Sequence, residues 1–172
     1  MTDKRFLVQA RRIITTLGIA SAISVGLFLL RVLIYRDTNF WYLNWNLLLA
    51  WVPLGLSYWF VSHLAAKQPF NTKAKILALL WLVFLPNAFY LATDFIHLQE
   101  SSARTLLFDV VLMLSFTFNG FVLGYISVYS VHYTLLKRLP ARIAHAIIAG
   151  SFLLCGFAIY LGRYLRRNTW DI

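Results

Sequence analysis

Five long apolar stretches, separated by short polar segments, dominate the sequence. They cover about 13–34, 44–64, 76–98, 105–133 and 143–161, and each is 19 to 29 residues long. A hydrocarbon core about 30 Å thick requires roughly 20 residues of α-helix, and longer segments fit when they are tilted. The pattern therefore predicts an all-α, polytopic transmembrane bundle of about five spans, with residues 1–172 forming a single integral membrane domain.

The third stretch carries polar side chains along an otherwise apolar helix. From Pro86 onward they recur at spacings of three and four, at Asn87, Tyr90, Asp94, His97 and Ser101. Such spacings predict one polar face, and a proline inside the helix predicts a kink. Because an ionisable side chain costs about 2.5 to 3.5 kcal/mol at the centre of a membrane helix, we expect Asp94 and His97 to face protein or a water-filled cavity.

Composition narrows the class of protein further. The chain is 60% hydrophobic with a mean hydropathy of +0.70, which is too apolar for a water-soluble domain. Its formal charge of +10 comes from short groups of Lys and Arg between apolar runs. This pattern is typical of residues that set the orientation of membrane spans, and it is not typical of a nucleic-acid-binding surface. Cys155 is the only cysteine, which excludes an intrachain disulfide. The basic N-terminal segment leads into an apolar run that has no small-residue cleavage site, so we interpret it as an uncleaved first span.

The distribution of basic residues predicts the orientation. Ten Lys and Arg residues flank one end of the predicted spans and six flank the other. Since short cytoplasmic loops carry the excess of positive charge, the N-terminus is predicted to be cytoplasmic and the C-terminus extracytoplasmic, in the inner (plasma) membrane. Five of the six acidic residues then share the outer side, and the positive-inside rule does not account for this asymmetry. These acids are Asp37, Asp94, Glu100, Asp109 and Asp171.

Alternating topology brings the outer ends of all five spans together and predicts a polar pocket there. Asp94 and His97 are the candidate catalytic residues, as an acid/base pair. Two alternatives remain: a structural ion pair with an arginine, or metal binding, for which two facing ligands are too few. Candidate substrate-binding residues are Asn44, Asn46, Asn87, Tyr90, Glu100, Asp109, Arg163, Arg166, Asn168 and Asp171. The sequence leaves the cofactor undetermined.

Several of these residues have a structural interpretation beside the functional one. Asp109 is expected either to interact with the N-terminal dipole of its helix or to pair with Arg163 or Arg166. Asn44 and Asn46 are expected to cap a helix, to bond between helices or to contact a ligand. Three arginines near the C-terminus have two interpretations: they bind a phosphate or carboxylate, or they anchor the chain at lipid headgroups. They are Arg163, Arg166 and Arg167. Further residues are expected to hold helices together or to lie at the interface: Asn119, Gly120 and Gly124, then His132 and His145.

Three stretches resemble an uncharacterised bacterial family of predicted integral membrane proteins, a domain of unknown function. They are NWNLLLAWVP at 44–53, WLVFLPNAFYLATDFIHL at 81–98 and GRYLRRNTWD at 162–171. The similarity extends over most of residues 44–172 and implies no reaction. Family members continue past the Trp-Asp pair into a further loop and apolar segment, whereas this sequence ends at Ile172.

These observations lead to three hypotheses of function. The first is an enzyme or binding protein for an anionic envelope lipid or glycan precursor, with membrane lipids as partners and no nucleic acid. The second is a small transporter or channel subunit, which requires a polar path through residues 76–85, a wholly apolar segment. The third is a nonenzymatic assembly factor in which the polar groups hold the helices together.

Overall fold

Long apolar sequences with few helix breakers fold here into five α-helices. The computed structural model describes residues 4–65 and 70–164. Its α-helices are α1 (Lys4–Tyr35), α2 (Tyr42–Ala65), α3 (Thr72–Tyr90), α4 (Leu106–Leu136) and α5 (Ala141–Tyr164), and a 3-10 helix, Leu91–Glu100, continues directly from α3. The described residues include no strand, which confirms the all-α prediction.

Five helical segments are long and apolar enough to cross a bilayer. They are Arg11–Tyr35, Tyr42–Leu64, Thr72–Gln99, Leu106–Leu136 and Ala141–Arg163. Many large apolar side chains on their outer faces are exposed, such as Leu107, Phe118 and Leu153 at 80%, 71% and 77%. A helix that is hydrophobic on all sides suits a lipid environment, because the outer face is then solvated by acyl chains. The chain is a multi-pass membrane protein.

Two apolar clusters fill the bundle, one toward each end. The first joins α1, α2, α4 and the start of the 3-10 helix, with Leu47, Leu91 and Phe116 among its buried members. The second joins α2, α3, α4 and α5 and includes Phe60 and Trp81. Some polar groups inside the bundle are bonded to each other. The indole of Trp81 donates to Ser127 Oγ at 2.7 Å, and Ser127 donates to the Pro53 carbonyl at 2.9 Å.

Two glycines let α4 approach α3 closely. A Cβ atom at Gly120 would lie 2.5 Å from the Ala88 carbonyl oxygen, and one at Gly124 would lie 2.8 Å from the Phe89 ring. Small residues at such positions allow helix backbones to come together in membranes. The interpretation of these glycines as a close-packing signal is therefore confirmed.

The third span differs from the single α-helical stripe that the spacing predicts. The α-helix runs through Pro86 and ends at Tyr90, and the chain then continues as a 3-10 helix. Side-chain hydroxyls bind two carbonyls at the junction: Thr93 donates to Tyr90 O at 2.6 Å, and Thr117 of α4 donates to Leu91 O at 3.1 Å. A 3-10 helix has three residues per turn, so the positions of Asp94, His97 and Glu100 fall in one row along it.

Candidate functional site

Asp94 lies at the centre of a polar cluster that joins three parts of the chain. Its Oδ1 accepts a hydrogen bond from Arg163 Nη2 at 2.8 Å, and its Oδ2 accepts one from Asn46 Nδ2 at 2.9 Å. Asp94 belongs to the 3-10 helix, Asn46 to the first turns of α2, and Arg163 to the last turn of α5. We call these three residues the Asp94 cluster. The ion pair with an arginine, one of the alternatives for Asp94, is the arrangement that the structure contains.

Burial differs sharply across this ion pair. The side chain of Asp94 is 2% exposed, whereas that of Arg163 is 20% exposed. The guanidinium of Arg163 also lies over the Tyr90 ring, 5.0 Å from its centroid, and its Nε is buried without a hydrogen-bond partner among the described residues. The carboxylate of Asp94 is thus enclosed by protein, and Arg163 is the more exposed member of the ion pair.

His97 lies one turn of the 3-10 helix beyond Asp94, as three residues per turn require. Its ring contacts the ring of Tyr42, with centroids 5.2 Å apart. Over the described residues, no group of three or more His, Cys, Asp or Glu side chains is placed to hold a metal ion.

Asp109 forms a second buried ion pair at the same end of the bundle. Arg31 of α1 donates to its two oxygens, from Nε at 2.6 Å and from Nη2 at 3.4 Å. Arg31 also donates through Nη1 to the carboxylate of Asp37 at 3.2 Å and lies 4.5 Å from the centroid of the Phe40 ring. Asp109 lies in the first turn of α4, where its interaction with the helix dipole was expected. The alternative pairing with Arg163 is not found, because Arg163 binds Asp94 and Asp109 pairs with Arg31.

The remaining candidates make local contacts or lie outside the described part of the chain. Asn44 donates to Trp41 O at 3.3 Å, and its buried Oδ1 accepts no bond from the described residues. Asn87 donates to Phe84 O in its own helix at 3.1 Å and does not reach the Asp94 cluster through that bond. Tyr90 provides the ring beneath Arg163. Four predicted site residues lie outside the part of the chain that the structure describes: the side chain of Glu100, and residues Arg166, Asn168 and Asp171.

Polar residues in the middle of the bundle hold helices together. Asn119 of α4 donates through Nδ2 to Ser24 Oγ of α1 at 2.8 Å and to Ser115 O at 3.0 Å. Ser24 Oγ in turn lies 2.5 Å from Ser115 Oγ. The interhelical role predicted for Asn119 is confirmed. Ser24 and Thr117 were not among the candidates, and a small hydroxyl within an apolar run gives too weak a sequence signal to distinguish them from other serines and threonines.

The histidines at the opposite end also meet across two helices. His132 Nε2 of α4 lies 3.1 Å from His145 Nδ1 of α5, and the rings are 5.0 Å apart. His132 is half-buried and His145 is exposed. Both lie close to the helix ends, as expected for residues at the membrane interface.

The Asp94 cluster and the ion pairs of Arg31 with Asp109 and Asp37 place five charged side chains at one end of the bundle, each hydrogen-bonded. In a medium of low dielectric constant a carboxylate and a guanidinium stabilise each other's charged form only when the geometry is close. Each oxygen of Asp94 already accepts a bond, so the described arrangement uses the carboxylate to hold Arg163 and Asn46. Of the two arginines in these ion pairs, Arg163 is the more exposed, with 20% of its side chain accessible against 3% for Arg31.

Fold and site together define a class: a multi-pass helical membrane protein with buried acid–arginine pairs at one end of the bundle. Residues 45–172 match the family described as "Protein of unknown function (DUF1361)", and since this is most of the chain, the protein belongs to that family. Neither the curated proteins nor the solved structures contain a match to the sequence.

Proposed function

We propose that the protein binds the anionic group of an envelope lipid or glycan precursor at Arg163, at the end of the bundle that the charge distribution predicts to be extracytoplasmic. The observation that carries the proposal is the state of the Arg163 guanidinium. The Arg163 side chain is one-fifth exposed, its guanidinium is held in place by Asp94, and its buried Nε has no hydrogen-bond partner among the described residues.

The chemistry of the guanidinium favours a phosphate or carboxylate ligand. Arginine presents several N–H donors in a planar fork, and the Asp94 contact uses Nη2, while the neighbouring Nε has no hydrogen-bond partner among the described residues. A buried donor without a partner costs about 1 to 3 kcal/mol, and because Nε is inaccessible in this arrangement, an anion recovers that cost only once Arg163 or its neighbours move. Charge-assisted bonds of this kind are about twice as strong as neutral ones.

In this proposal Asp94 is a positioning residue for Arg163. Its side chain is 2% exposed and both of its oxygens accept bonds, from Arg163 and from Asn46, which suits a carboxylate that fixes a cation. A general base must lie within about 3 Å of the proton it removes. The acid/base role predicted for Asp94 and His97 therefore needs a rearranged cluster, and we propose binding without a chemical step.

A structural role is the competing function, and a specific observation favours it. Asp94 and Asp109 are both enclosed in ion pairs that join helices distant in sequence, as an assembly factor with internal polar contacts would require. Transport has no comparable support, because Trp81 and Leu85 are buried in an apolar cluster halfway along α3.

Anion binding is tested with two probes that share a hydrocarbon chain and differ in one phosphate group. Farnesyl phosphate and farnesol are titrated into the purified protein in neutral detergent, and binding is measured by thermophoresis. We expect the phosphate to bind at least about tenfold more tightly than the alcohol, and Arg163→Gln to remove that difference, because one charge-assisted bond is worth a factor of about ten. Arg104→Gln, which removes an exposed arginine predicted to lie at the same end, is the matched control and should bind as the parent does.

The same experiment separates binding from a structural role. If Arg163→Gln lowers the melting temperature but binds farnesyl phosphate as tightly as the parent, the cluster is structural and the proposal is wrong. The predicted side is checked in intact cells that carry Cys155→Ala. A membrane-impermeant thiol reagent should label Ser102→Cys and not Lys137→Cys, and the reverse pattern would place Arg163 on the cytoplasmic side.

A further inference from the structure

A cavity lies between α2, α3, α4 and α5 at the end of the bundle remote from the Asp94 cluster. Its volume is about 460 Å³, and apolar side chains such as Phe60, Leu79, Trp81 and Ile147 form most of its wall. Arg138 is the charged residue in that wall. We call this space the Arg138 cavity. The cavity wall extends along α5 as far as Ser151, so 12 residues, or about 18 Å of helix, separate the cavity from Arg163 in the Asp94 cluster.

The wall of the Arg138 cavity suits a hydrocarbon chain. The cavity falls within the size range of small-molecule sites, about 300 to 1,000 Å³, and it opens between helices that face lipid. The bilayer offers acyl chains at high concentration, and such chains leave no polar group unsatisfied in an apolar space. Leu79 is both a wall residue and 60% exposed, so the cavity is continuous with the outer surface of the bundle.

Positive charge at the Arg138 end of the cavity favours a lipid with an anionic headgroup. Arg138 lies in the turn after α4 and donates through Nη2 to the Leu64 carbonyl near the end of α2, which fixes the guanidinium beside the cavity. Lys137 is exposed next to it, with Nζ 4.1 Å from the centroid of the Tyr133 ring, and Arg142 is exposed in the first turn of α5. The segments that connect the helices at this end, residues 66–71 and 137–140, contain no acidic residue.

We propose that the Arg138 cavity binds an anionic glycerophospholipid, with one acyl chain between α3 and α5 and the phosphate on Arg138. The site is independent of the anion binding proposed at Arg163. A zwitterionic phospholipid offers the same chain and phosphate, but the cationic amine or choline of its headgroup meets the basic residues at this end. The preference for negative charge is therefore the property that distinguishes a specific site from a groove filled by any lipid.

Competition between two phospholipids tests the proposal. The full-length protein is equilibrated in micelles that contain equal amounts of phosphatidylglycerol and phosphatidylcholine with identical acyl chains, and retained lipid is counted by native mass spectrometry. We expect a preference of about tenfold for phosphatidylglycerol, because both lipids offer a phosphate to Arg138 but the choline cation of phosphatidylcholine lies against the basic residues there. Arg138→Gln should abolish the preference, whereas Arg142→Gln, which removes the same charge outside the cavity wall, should preserve it.

A second pair of variants tests whether the chain occupies the cavity. Ala78→Trp fills the cavity from its wall and should reduce retention of phosphatidylglycerol, whereas Ala146→Trp, on the exposed face of α5, should not. Equal retention of the two lipids by the parent protein, or equal losses in Arg138→Gln and Arg142→Gln, would overturn the proposal, since either result indicates general charge attraction. If Ala78→Trp fails to fold, the arginine pair alone decides. Arg163→Gln should leave this preference unchanged, which separates the result from the site at the other end.

Discussion

The buried pair of Arg31 and Asp109 shows how a charge is accommodated inside this bundle. The side chains are 3% and 0% exposed, and both oxygens of the carboxylate accept from the guanidinium. The cost of removing two charges from water is large, and it is offset only by close contact and by further bonds, here to Asp37 and to the face of Phe40. Each member of the pair is therefore needed by the other.

Replacing Asp109 should destabilise the fold strongly. Asp109→Asn keeps the shape of the side chain but leaves Arg31 as a buried cation with less compensation, and breaking a buried pair in this way costs about 3 to 5 kcal/mol. The free energy of unfolding in mixed micelles measures the effect. Asp37→Asn is the matched control: its side chain is 35% exposed, so the loss of its contact with Arg31 should cost roughly 0 to 1 kcal/mol. Similar small losses in both variants would contradict this account of Arg31.

At the residue scale the sequence predicts which side chains are internal but not always their partners. Asp94, Asn119 and the two glycines of α4 could be recognised because polar or very small residues inside an apolar helix require a neighbour. For Asp109 the position at the start of a helix could be predicted, but its ion-pair partner, Arg31, was not among the alternatives. Alternating topology fixes the end of the bundle at which a residue lies, whereas the order of helices around the bundle depends on packing between distant segments.

The helix α4 is the element on which the other packing depends. It contacts α1 through Asn119, the start of the 3-10 helix through Thr117, and α3 through Gly120 and Gly124. The change from α-helix to 3-10 helix at Leu91 could not be predicted from the local sequence, because the hydroxyl that binds the Leu91 carbonyl comes from a residue 26 positions later. Spacing within one segment carries no information about such a donor.

Gly120 should tolerate no larger side chain. Gly120→Ala places a methyl group 2.5 Å from the Ala88 carbonyl oxygen, which is backbone and can move only with α3. Overpacking of this kind costs about 1 to 3 kcal/mol, again read from the free energy of unfolding. Gly150→Ala is the control, since its added Cβ would meet nothing within 4 Å, and alanine should stabilise that helix by about 0.5 to 1 kcal/mol. A neutral Gly120→Ala would show that α3 and α4 are not in close contact.

Over the whole molecule, the two ends of the bundle differ in charge. At one end Asp94 and Asp109 neutralise arginines inside the protein, and at the other end Arg138 and its basic neighbours have no acidic residue in the adjoining connections. The sequence predicted the five spans and the accumulation of acids at one end. It gave no sign of the Arg138 cavity, because a cavity results from the shapes of side chains on four helices that meet only in the fold.

The most direct test of the account is a double-mutant cycle on the contact between α5 and the 3-10 helix. Asp94→Asn, Arg163→Gln and the double variant are compared with the parent in their free energy of unfolding. Direct contact predicts a coupling energy of about 1 to 3 kcal/mol, whereas the control cycle of Asp109→Asn with Arg163→Gln should be additive within about 0.5 kcal/mol. Additive effects of Asp94→Asn and Arg163→Gln would contradict the arrangement on which the proposed anion site rests.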